Sequence, residues 1–403
     1  MPADHPPSAL FPLTPGADDP LPPPPDGLES ADTGVGTLPG EEPGAEALLE
    51  TEASLYVVVL AGGIGSRFWP LSSISRPKPL LALVNERPLI ADTVERLRPL
   101  VPPERVLVVT SADIADALHE AIPDVPAGNM LVEPHPMGTA AALAWGAHEV
   151  ARRAGPDSVF CTVHADLAIG LPEEFRRAIR RATGIAAQQD ALVVVGARPT
   201  RPETGFGYLL PGDPVDGSAG TAQNGACRVV RFVEKPGPTL AESLIAEGAL
   251  WNTGTFLWRA RVVLDELALV PEIAPGLAAL AAGDLPGFAG AVQHISLDRG
   301  LLERSRRLVV APGDFVWDDV GTWASLRRAR ALDDHGNGAV GPAHFSESSG
   351  NLVHTEGGPV VLHGVDSLVV VSLPGYTFVT TLERAADLAA LQRELPPEFR
   401  PPA

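Results

Sequence analysis

The chain has 403 residues, a formal net charge of −20 and two cysteines, Cys161 and Cys227. That length allows two domains with a large core, and the acidic balance excludes a basic surface for nucleic acid or anionic membranes. Two cysteines outside any C-x-x-C pair argue against a disulfide framework, so we expect a cytoplasmic protein. No stretch approaches the ~18 uninterrupted apolar residues of a membrane span.

Residues 1–54 differ in composition from the rest of the chain. They contain eleven acidic residues, no lysine or arginine, and twelve of the 42 prolines. A segment like this cannot bury enough apolar surface to offset its ordering entropy, so we predict a disordered tail. It lacks the cationic start and apolar run of a signal peptide. A translation start further downstream is an alternative explanation of this segment.

From residue 55 to about residue 330, apolar runs alternate with segments of helical periodicity. Continuous valine and leucine runs separated by helices are typical of a parallel sheet covered on both faces. We predict an α/β fold with an open, mostly parallel, Rossmann-like sheet and a ligand at the carboxyl ends of its strands. The predicted strands are 56–60, 105–110, 159–163 and 191–196, and the predicted helices are 88–100, 114–122, 139–154 and 173–187.

After about residue 334 the chain becomes rich in turns. Short apolar segments at 351–354, 359–365, 367–371 and 376–381 predict a small β domain, and 382–395 predicts a closing helix. Only about 70 residues follow the α/β part, so we expect no second, isomerase-type enzyme domain.

The first predicted strand runs directly into a glycine-rich turn. Gly62, Gly63 and Gly65 are followed by Arg67 and, eleven residues later, by Lys78. Glycines let the backbone approach a phosphate so that its N–H groups can point at the anion. The turn lacks the third glycine of a dinucleotide fingerprint and the Gly-Lys-Ser/Thr of a Walker loop. It therefore indicates a triphosphate site of another kind.

This segment resembles the sugar nucleotidylyltransferases, and most closely the mannose-1-phosphate guanylyltransferase group. That family opens with a strand, G-G-x-G-x-R, Trp-Pro-Leu and Pro-Lys, which here are Trp69-Pro70-Leu71 and Pro77-Lys78 after the glycine turn. The resemblance implies a catalytic domain over 55–333 and a short left-handed β-helix over 334–403. It also implies the reaction: a sugar 1-phosphate attacks the α-phosphorus of a nucleoside triphosphate, and pyrophosphate leaves.

The reaction requires cations for the leaving phosphates and a cradle for the nucleotide. The resemblance assigns Arg67 and Lys78 to the β- and γ-phosphates. The nucleotide-binding residues that it implies are Ala61, Gly62, Gly63, Gly65, Glu133, Thr139 and Ala140.

Two aspartates match the metal ligands of the family. Asp166 and Asp319 each follow an apolar run, where a strand's carboxyl end would place them in the crevice. Two carboxylates with phosphate oxygens and water suit an octahedral Mg²⁺ ion. The family pattern W-x-D-V-G selects Asp319 over its neighbour Asp318.

The resemblance assigns Lys235 to the sugar phosphate, Glu234 and Asn252 to the hexose hydroxyls, and Gly205 to a backbone that lies against the sugar. A buried polar pair discriminates between sugars, because a missing hydroxyl leaves it unpaired. Trp251 and Trp258 are expected in the core. The segment from Asp298 to Glu303 matches a family D-x4-E pattern, and we interpret it as structural.

Base recognition departs from the family pattern. Met137 and Gly138 stand where the family has arginine and asparagine, and their side chains cannot supply directed hydrogen bonds. We expect GTP and mannose 1-phosphate as substrates, and a homodimer. Alternatives are the same chemistry on another pair of sugar 1-phosphate and nucleotide, such as glucose or heptose 1-phosphate and UTP or dTTP, and a non-catalytic nucleotide-sugar sensor or regulatory subunit. Intact Arg67, Lys78 and both metal aspartates argue against the sensor.

Overall fold

A computed structural model of the protein describes residues 54–63, 65–215 and 225–400. The predicted tail lies outside these residues, apart from Ser54. Within the described ranges, no helix combines the length and apolarity that crossing a bilayer requires.

The first part of the chain builds a nine-stranded sheet with helices on both faces, and a separate two-stranded ribbon. Its strands are β1 (Tyr56–Ala61), β2 (Val106–Ser111), β3 (Met130–Glu133), β4 (Val159–His164), β5 (Ala168–Ile169), β6 (Leu192–Ala197), β7 (Gly207–Pro214), β8 (Cys227–Glu234), β9 (Leu250–Arg259), β10 (Leu308–Gly313) and β11 (Trp317–Asp318). The helices are α1 (Leu89–Leu97), α2 (Ala115–Ala121), α3 (Thr139–Ala154), α4 (Pro172–Gln188), α5 (Pro238–Ala246), α6 (Ala260–Leu267), α7 (Leu277–Ala281), α8 (Leu285–Ala291) and α9 (Trp323–Ala329).

The strand order is β3-β2-β1-β4-β9-β6-β10-β8-β7, and β5 pairs with β11 to form the ribbon. Strand β9 runs antiparallel to β4, β6 and β7, and β8 runs antiparallel to β10 and β7. The other strands of the large sheet share one direction, so the predicted parallel character holds for most of them. The sequence carries no signal that β9 lies between β4 and β6.

Two hydrophobic clusters cover the two faces of this sheet. In β1, Val57 and Val59 pack in the cluster that contains α1, α2 and α4. Val58 and Leu60 face the opposite cluster, which contains α3 and α6. Both sets of side chains are buried, and this accounts for the continuous apolar runs of the central strands. Trp251 and Trp258 are buried in these clusters, as predicted.

The C-terminal part winds back and forth between two small sheets, and residues 338–381 are called the C-terminal coil below. Its strands are β12 (Gly338–Val340), β13 (Ala343–Ser346), β14 (Leu352–Thr355), β15 (Val360–His363), β16 (Leu368–Leu373) and β17 (Tyr376–Thr381). The pairs β12–β14, β14–β16 and β13–β15 are parallel, and β17 returns antiparallel to β16. Parallel stacking of successive turns is coil-like; the predicted left-handed sense stays a prediction.

The predicted closing helix over 382–395 is wrong in extent. The helix α10 covers only Ala389–Glu394, after a short 3-10 turn at Arg384–Ala386. Leu382 belongs instead to the apolar contacts of a third core cluster.

This third cluster joins the C-terminal coil to the segment between β1 and α1, and residues 65–83 of that segment are called the signature loop. Phe68 of the loop packs edge-on against Trp323 of α9, with ring centroids 5.5 Å apart. Trp69 packs against Phe378 of β17 at 5.1 Å. Leu352 and Val369 of the coil are buried in the same cluster. The coil therefore supports the loop that carries Arg67 and Lys78.

Candidate active site

A cavity of about 340 Å³ opens at the carboxyl ends of β1 and β4. The predicted site residues that line it are Gly62, Gly63, Gly65, Arg67, Lys78, Asp166, Gly205, Glu234, Lys235, Asn252 and Asp319. They come from widely separated segments, because the sheet brings its strand ends to one edge. The predicted phosphate, metal and sugar residues thus share one site.

Lys78 lies at the centre of this site. Its ammonium donates to Asp166 Oδ2 at 2.8 Å and to the backbone oxygen of Asp319 at 2.6 Å. The residue is only 7% exposed. Of the three donors of an ammonium group, one remains for a ligand. Lys78 therefore links the two acidic segments.

Gly65 is required for this placement of Lys78. Its φ is +68°, and a Cβ there would lie 2.5 Å from Lys78 Cβ. Such a contact is incompatible with any larger residue unless the backbone moves. The glycine turn thus lets the signature loop fold back so that Lys78 reaches the acidic residues.

The pKa values of the two aspartates are shifted in opposite directions. Burial opposes ionisation of Asp166, but the Lys78 ammonium, assisted by His164, holds the pKa of Asp166 below its ordinary value. For Asp319, burial raises the pKa, Lys78 opposes the rise, and the carboxylate of Asp318 adds to it. Asp319 Oδ1 accepts from the Gly321 N–H at 2.9 Å. A nearby cation would favour the ionised form of Asp319.

The carboxylate oxygens of Asp166 and Asp319 suit a hard divalent cation that also binds oxygen atoms of the substrate. No group of three or more His, Cys, Asp and Glu side chains suitable for a metal occurs within the described residues. Two protein carboxylates therefore form an incomplete shell, which phosphate oxygens and water would complete, as Mg²⁺ prefers.

Asp318 differs from its neighbour Asp319, because its carboxylate is held in ion pairs. It is 3% exposed and forms ion pairs with Arg201 at 3.3 Å and Arg328 at 2.9 Å. Its Oδ1 also accepts from the N–H of Val320, whose φ is +45°. These contacts fix the strained turn that presents Asp319 to the cavity.

The sugar side of the cavity contains the predicted polar pair. Lys235 Nζ donates to Glu234 Oε1 at 2.7 Å, and the Lys235 side chain is 64% exposed. Burial raises the pKa of Glu234, and the Asp298 carboxylate contributes to the rise against the Lys235 ammonium. A Cβ at Gly207 would lie 2.8 Å from Glu234 Oε2, so a larger residue there would displace the Glu234 carboxylate.

Asn252 is held in place by its neighbours. Its Nδ2 donates to Asp298 Oδ1 at 3.2 Å, and its Oδ1 accepts from the Gly254 N–H at 3.1 Å. Asp298 also lines the cavity. The segment that matches the D-x4-E pattern thus orients a predicted sugar ligand, which gives the structural interpretation of this segment a specific contact.

Arg67 differs from Lys78 in its surroundings. Arg67 is exposed at the cavity, and its guanidinium group has no hydrogen-bond or ion-pair partner among the residues that the structure describes. The positive charge of Arg67 still acts on Asp319, where it opposes the rise in pKa that burial causes. The guanidinium group is therefore available to an anionic ligand.

A second lobe of about 290 Å³ adjoins the first, and both contain Gly62, Gly63 and His164. It is lined by the predicted nucleotide-binding residues Ala61, Glu133 and Thr139. Ala140 lies in the core beneath this lobe, and its N–H donates to the Ile295 oxygen at 3.3 Å. The two lobes form one elongated cleft with the glycine turn between them.

The departures from the family pattern lie beside the second lobe. Met137 is 2% exposed and packs in the core, so its side chain does not face a base. Gly138 has φ +89°, and a Cβ there would lie 2.6 Å from the Ile295 oxygen. The segment around Ile295 thus occupies the space that a side chain would need. The backbone requires glycine at this position.

Three site residues were missed from the sequence. His164, at the end of β4, lines both lobes, while His294 and Ser296 line the second. His164 could have been inferred from its place two residues before Asp166 at a strand end. His294 and Ser296 lie in an irregular segment without periodicity or motif spacing, so the sequence carries no signal for them.

Comparison with known proteins identifies the family of the chain. The family model described as nucleotidyl transferase matches residues 56–335, and the chain belongs to this family. It is therefore a nucleotidyltransferase.

Its relatives are more specific. It is 32% identical over 370 residues to the mannose-1-phosphate guanylyltransferase ManC of Salmonella typhimurium, covering 88% of this chain and 75% of ManC. It is 33% identical to the mannose-1-phosphate guanylyltransferase of Klebsiella pneumoniae, covering 83% of this chain and 72% of that protein.

A crystal structure described as mannose-1-phosphate geranyltransferase from Thermus thermophilus has the same fold. Its TM-score is 0.76 at 33% identity, and the match covers 84% of this chain and 98% of that one.

Proposed function

We propose that the protein transfers a guanylyl group from GTP to mannose 1-phosphate, which yields GDP-mannose and pyrophosphate. A phosphate oxygen of the sugar 1-phosphate forms a bond to the α-phosphorus, and the bond to the β-phosphate bridging oxygen breaks. The observation that carries the proposal is the Lys78 contact to both acidic segments, at the junction of a phosphate turn and a sugar pocket. The names of the relatives support the choice of substrates.

In this proposal the nucleotide spans both lobes. Its base occupies the lobe of Glu133 and Thr139, and its phosphates cross the turn formed by Gly62 and Gly63. Exposed Arg67 would bind the departing pyrophosphate, since its guanidinium has no partner in the described part of the chain. Lys78 would donate its remaining N–H to the phosphates while it holds Asp166.

The sugar 1-phosphate would enter from the opposite side. Lys235 is exposed at the cavity and can bind the phosphate, while Glu234 and Asn252 are oriented to bond the hydroxyls. These partners restrict the phosphate oxygen to an approach towards the α-phosphorus. Positioning two polyanions in this way removes most of the entropic barrier of a bimolecular step.

We propose Mg²⁺ as the cofactor, held by Asp166 and Asp319. Bound there, it would neutralise charge on the phosphate oxygens. The contribution of the chain is to hold both carboxylates in place, which Lys78 does through Asp166 Oδ2 and the Asp319 backbone, and the charge of Lys78 favours the ionised form of each. The predicted left-handed coil, homodimer and cytoplasmic location belong to the same proposal, by family resemblance.

A second candidate keeps the chemistry and changes the substrates. It is favoured by Met137, which is buried and stands where the family has an arginine that can make a directed contact. Glu133, Thr139, His294 and Ser296 are then the polar side chains available in the second lobe. Either UTP or dTTP with another sugar 1-phosphate would fit this candidate.

The test is pyrophosphate release from a grid of nucleotides and sugar phosphates. GTP, UTP, dTTP, ATP and CTP would each be combined with mannose, glucose or galactose 1-phosphate and Mg²⁺. Turnover confined to GTP and mannose 1-phosphate supports the first proposal, and turnover on another pair supports the second. Asp319→Asn is the matched inactive control, because it keeps shape and removes the charge.

If no pair released pyrophosphate while nucleotide binding stayed intact, both candidates would be contradicted. Binding that is insensitive to Asp319→Asn would then favour a nucleotide-sugar sensor.

A further inference from the structure

A separate cavity of about 310 Å³ lies on the other side of the metal aspartates, between α1, the start of α4 and strand β5. Three arginines line it: Arg87 before α1, Arg96 in the last turn of α1, and Arg176 in α4. Leu167 forms part of its wall and part of the wall of the active-site cavity. The two cavities are thus separated by a single side-chain layer at this point.

Arg96 is the residue that requires explanation. Its guanidinium forms no hydrogen bond or ion pair with any residue that the structure describes. Burial lowers the pKa of Arg96 to about 10, the charge of Asp92 opposes this, and the charges of Arg176 and Arg87 add to it. Arg96 is half-buried, and a guanidinium group that lines an enclosed cavity without a protein partner is well placed to bind an anion.

The carboxylates near the cavity already have partners. Asp92 pairs with Arg87 at 3.0 Å, and Glu95 pairs with Arg98 at 3.2 Å. Glu173 pairs with Arg176, whose Nη1 also donates to the Arg96 backbone oxygen at 2.9 Å. After this pairing one positive charge, that of Arg96, remains in the cavity.

We propose that this cavity binds a small phosphate-bearing anion between Arg96 and Arg176, and that its occupancy alters metal binding at the active site. Guanidinium groups bind phosphate oxygens through two parallel N–H donors, which makes paired arginines suited to this chemistry. The volume admits inorganic phosphate or a small phosphate monoester. Both carry a phosphate group, which would supply the negatively charged partner that Arg96 lacks among the described residues.

The connection to the active site is direct. Ala168 and Ile169 line the arginine cavity and form strand β5, which pairs with β11 at Asp318 and Trp317. Asp166 comes two residues before β5, and Asp319 comes directly after β11. The two-stranded ribbon therefore carries both predicted metal ligands. An anion that shifts β5 changes the separation of Asp166 and Asp319.

The first test measures binding without turnover. Inorganic phosphate and glycerol 3-phosphate would each be titrated calorimetrically into the full chain with saturating GTP and no Mg²⁺. The variant is Arg96→Gln, which removes the charge, and the matched control is Arg177→Gln, an exposed arginine of α4 that pairs with Glu174 outside the cavity. Arg96→Lys keeps the charge without the planar fork and serves if the glutamine variant does not fold.

We expect Arg96→Gln to weaken binding of at least one probe by about tenfold or more, because a charge-assisted bond is lost. Arg177→Gln should match the parent protein. Loss of both probes, or of one alone, identifies the phosphate source. Equal binding in the parent and in Arg96→Gln overturns the site, because phosphate held only at the active site does not depend on Arg96.

The second test measures coupling, and it rests on the proposed function. With any active substrate pair, the probe should change the Mg²⁺ concentration at half-maximal rate by about threefold in the parent and in Arg177→Gln, and not in Arg96→Gln. An unchanged Mg²⁺ dependence in all three proteins overturns the coupling. The binding test stands whether or not the proposed reaction is correct, so failure of one is distinguishable from failure of the other.

Discussion

Arg76 and Glu356 join the signature loop to the C-terminal coil through two parallel hydrogen bonds of 2.8 and 2.6 Å. Arg76 lies two residues before Lys78, and Glu356 also contacts His354 at 3.0 Å. His354 in turn lies beside Arg330, whose Nε donates to the Leu83 oxygen at the end of the same loop. One polar network therefore anchors the loop near Lys78 and at its C-terminal end.

The first prediction concerns this ion pair. Both side chains are about a third exposed or more, so Glu356→Gln should cost less than about 1 kcal/mol of stability. Since about 1.4 kcal/mol corresponds to tenfold, the KM for the nucleotide should rise measurably, by up to about fivefold. Steady-state kinetics and urea denaturation would measure the two effects.

The matched control is Glu383→Gln, an exposed glutamate outside this network. It should leave both quantities unchanged. Equal KM values for the parent and for Glu356→Gln would show that the coil does not position the loop.

The second prediction concerns stability against pH. Burial lowers the pKa of His354, the hydrogen bond with Glu356 opposes this, and the charge of Arg330 adds to it. The unfolded chain thus binds a proton at higher pH than the folded one. This contribution to stability is present above the ordinary histidine pKa of about 6.5 and is lost as pH falls below it.

Urea denaturation between pH values of about 7.5 and 5 would test this. Stability of the parent should fall with pH in this window, and His354→Gln should show a shallower dependence. His335→Gln, which replaces an exposed histidine, is the control and should follow the parent. A parallel decline in all three proteins would assign the effect to other groups.

The third prediction concerns the buried pair of Lys78 and Asp166. Lys78→Met leaves a half-buried carboxylate without its cation, so it should cost about 1–3 kcal/mol and reduce turnover by orders of magnitude. Adding Asp166→Asn should recover part of the stability, because the unpaired charge is gone, and none of the activity. Denaturation and pyrophosphate release on the single and double variants would measure both.

Full stability loss in the double variant would show that packing of Lys78, not its charge, is decisive. Unchanged pyrophosphate release in Lys78→Met would contradict its role in the site.

These residues also show what the sequence could reveal. Strand β1 and helix α3 were predictable because their valine runs and helical periodicity are local properties. The direction of β9 was not, since its buried apolar residues resemble those of a parallel strand. The Lys78–Asp166 contact spans 88 residues, so only the family resemblance brought the two together beforehand. Arg96 belongs to no motif, and only the fold shows that it lacks a partner among the described residues.

The last prediction concerns the backbone of the nucleotide lobe. Gly138 and Gly155 have nearly the same conformation, with φ of +89° and +96° and ψ of 157° and 158°. A Cβ at Gly155 meets no atom within 4 Å, whereas at Gly138 it would lie 2.6 Å from the Ile295 oxygen. Gly155→Ala therefore measures conformational strain alone, about 1–3 kcal/mol. Gly138→Ala adds displacement of the segment around Ile295.

We expect Gly138→Ala to lose more stability than Gly155→Ala and, unlike it, to weaken nucleotide binding, because His294 and Ser296 flank Ile295 and line the lobe. Denaturation and nucleotide titration would give the two values. Introducing the family residue by Gly138→Asn should be no better, since asparagine carries the same Cβ. Tighter nucleotide binding in Gly138→Asn would instead show that this lobe tolerates the family pattern and that the segment around Ile295 can retreat.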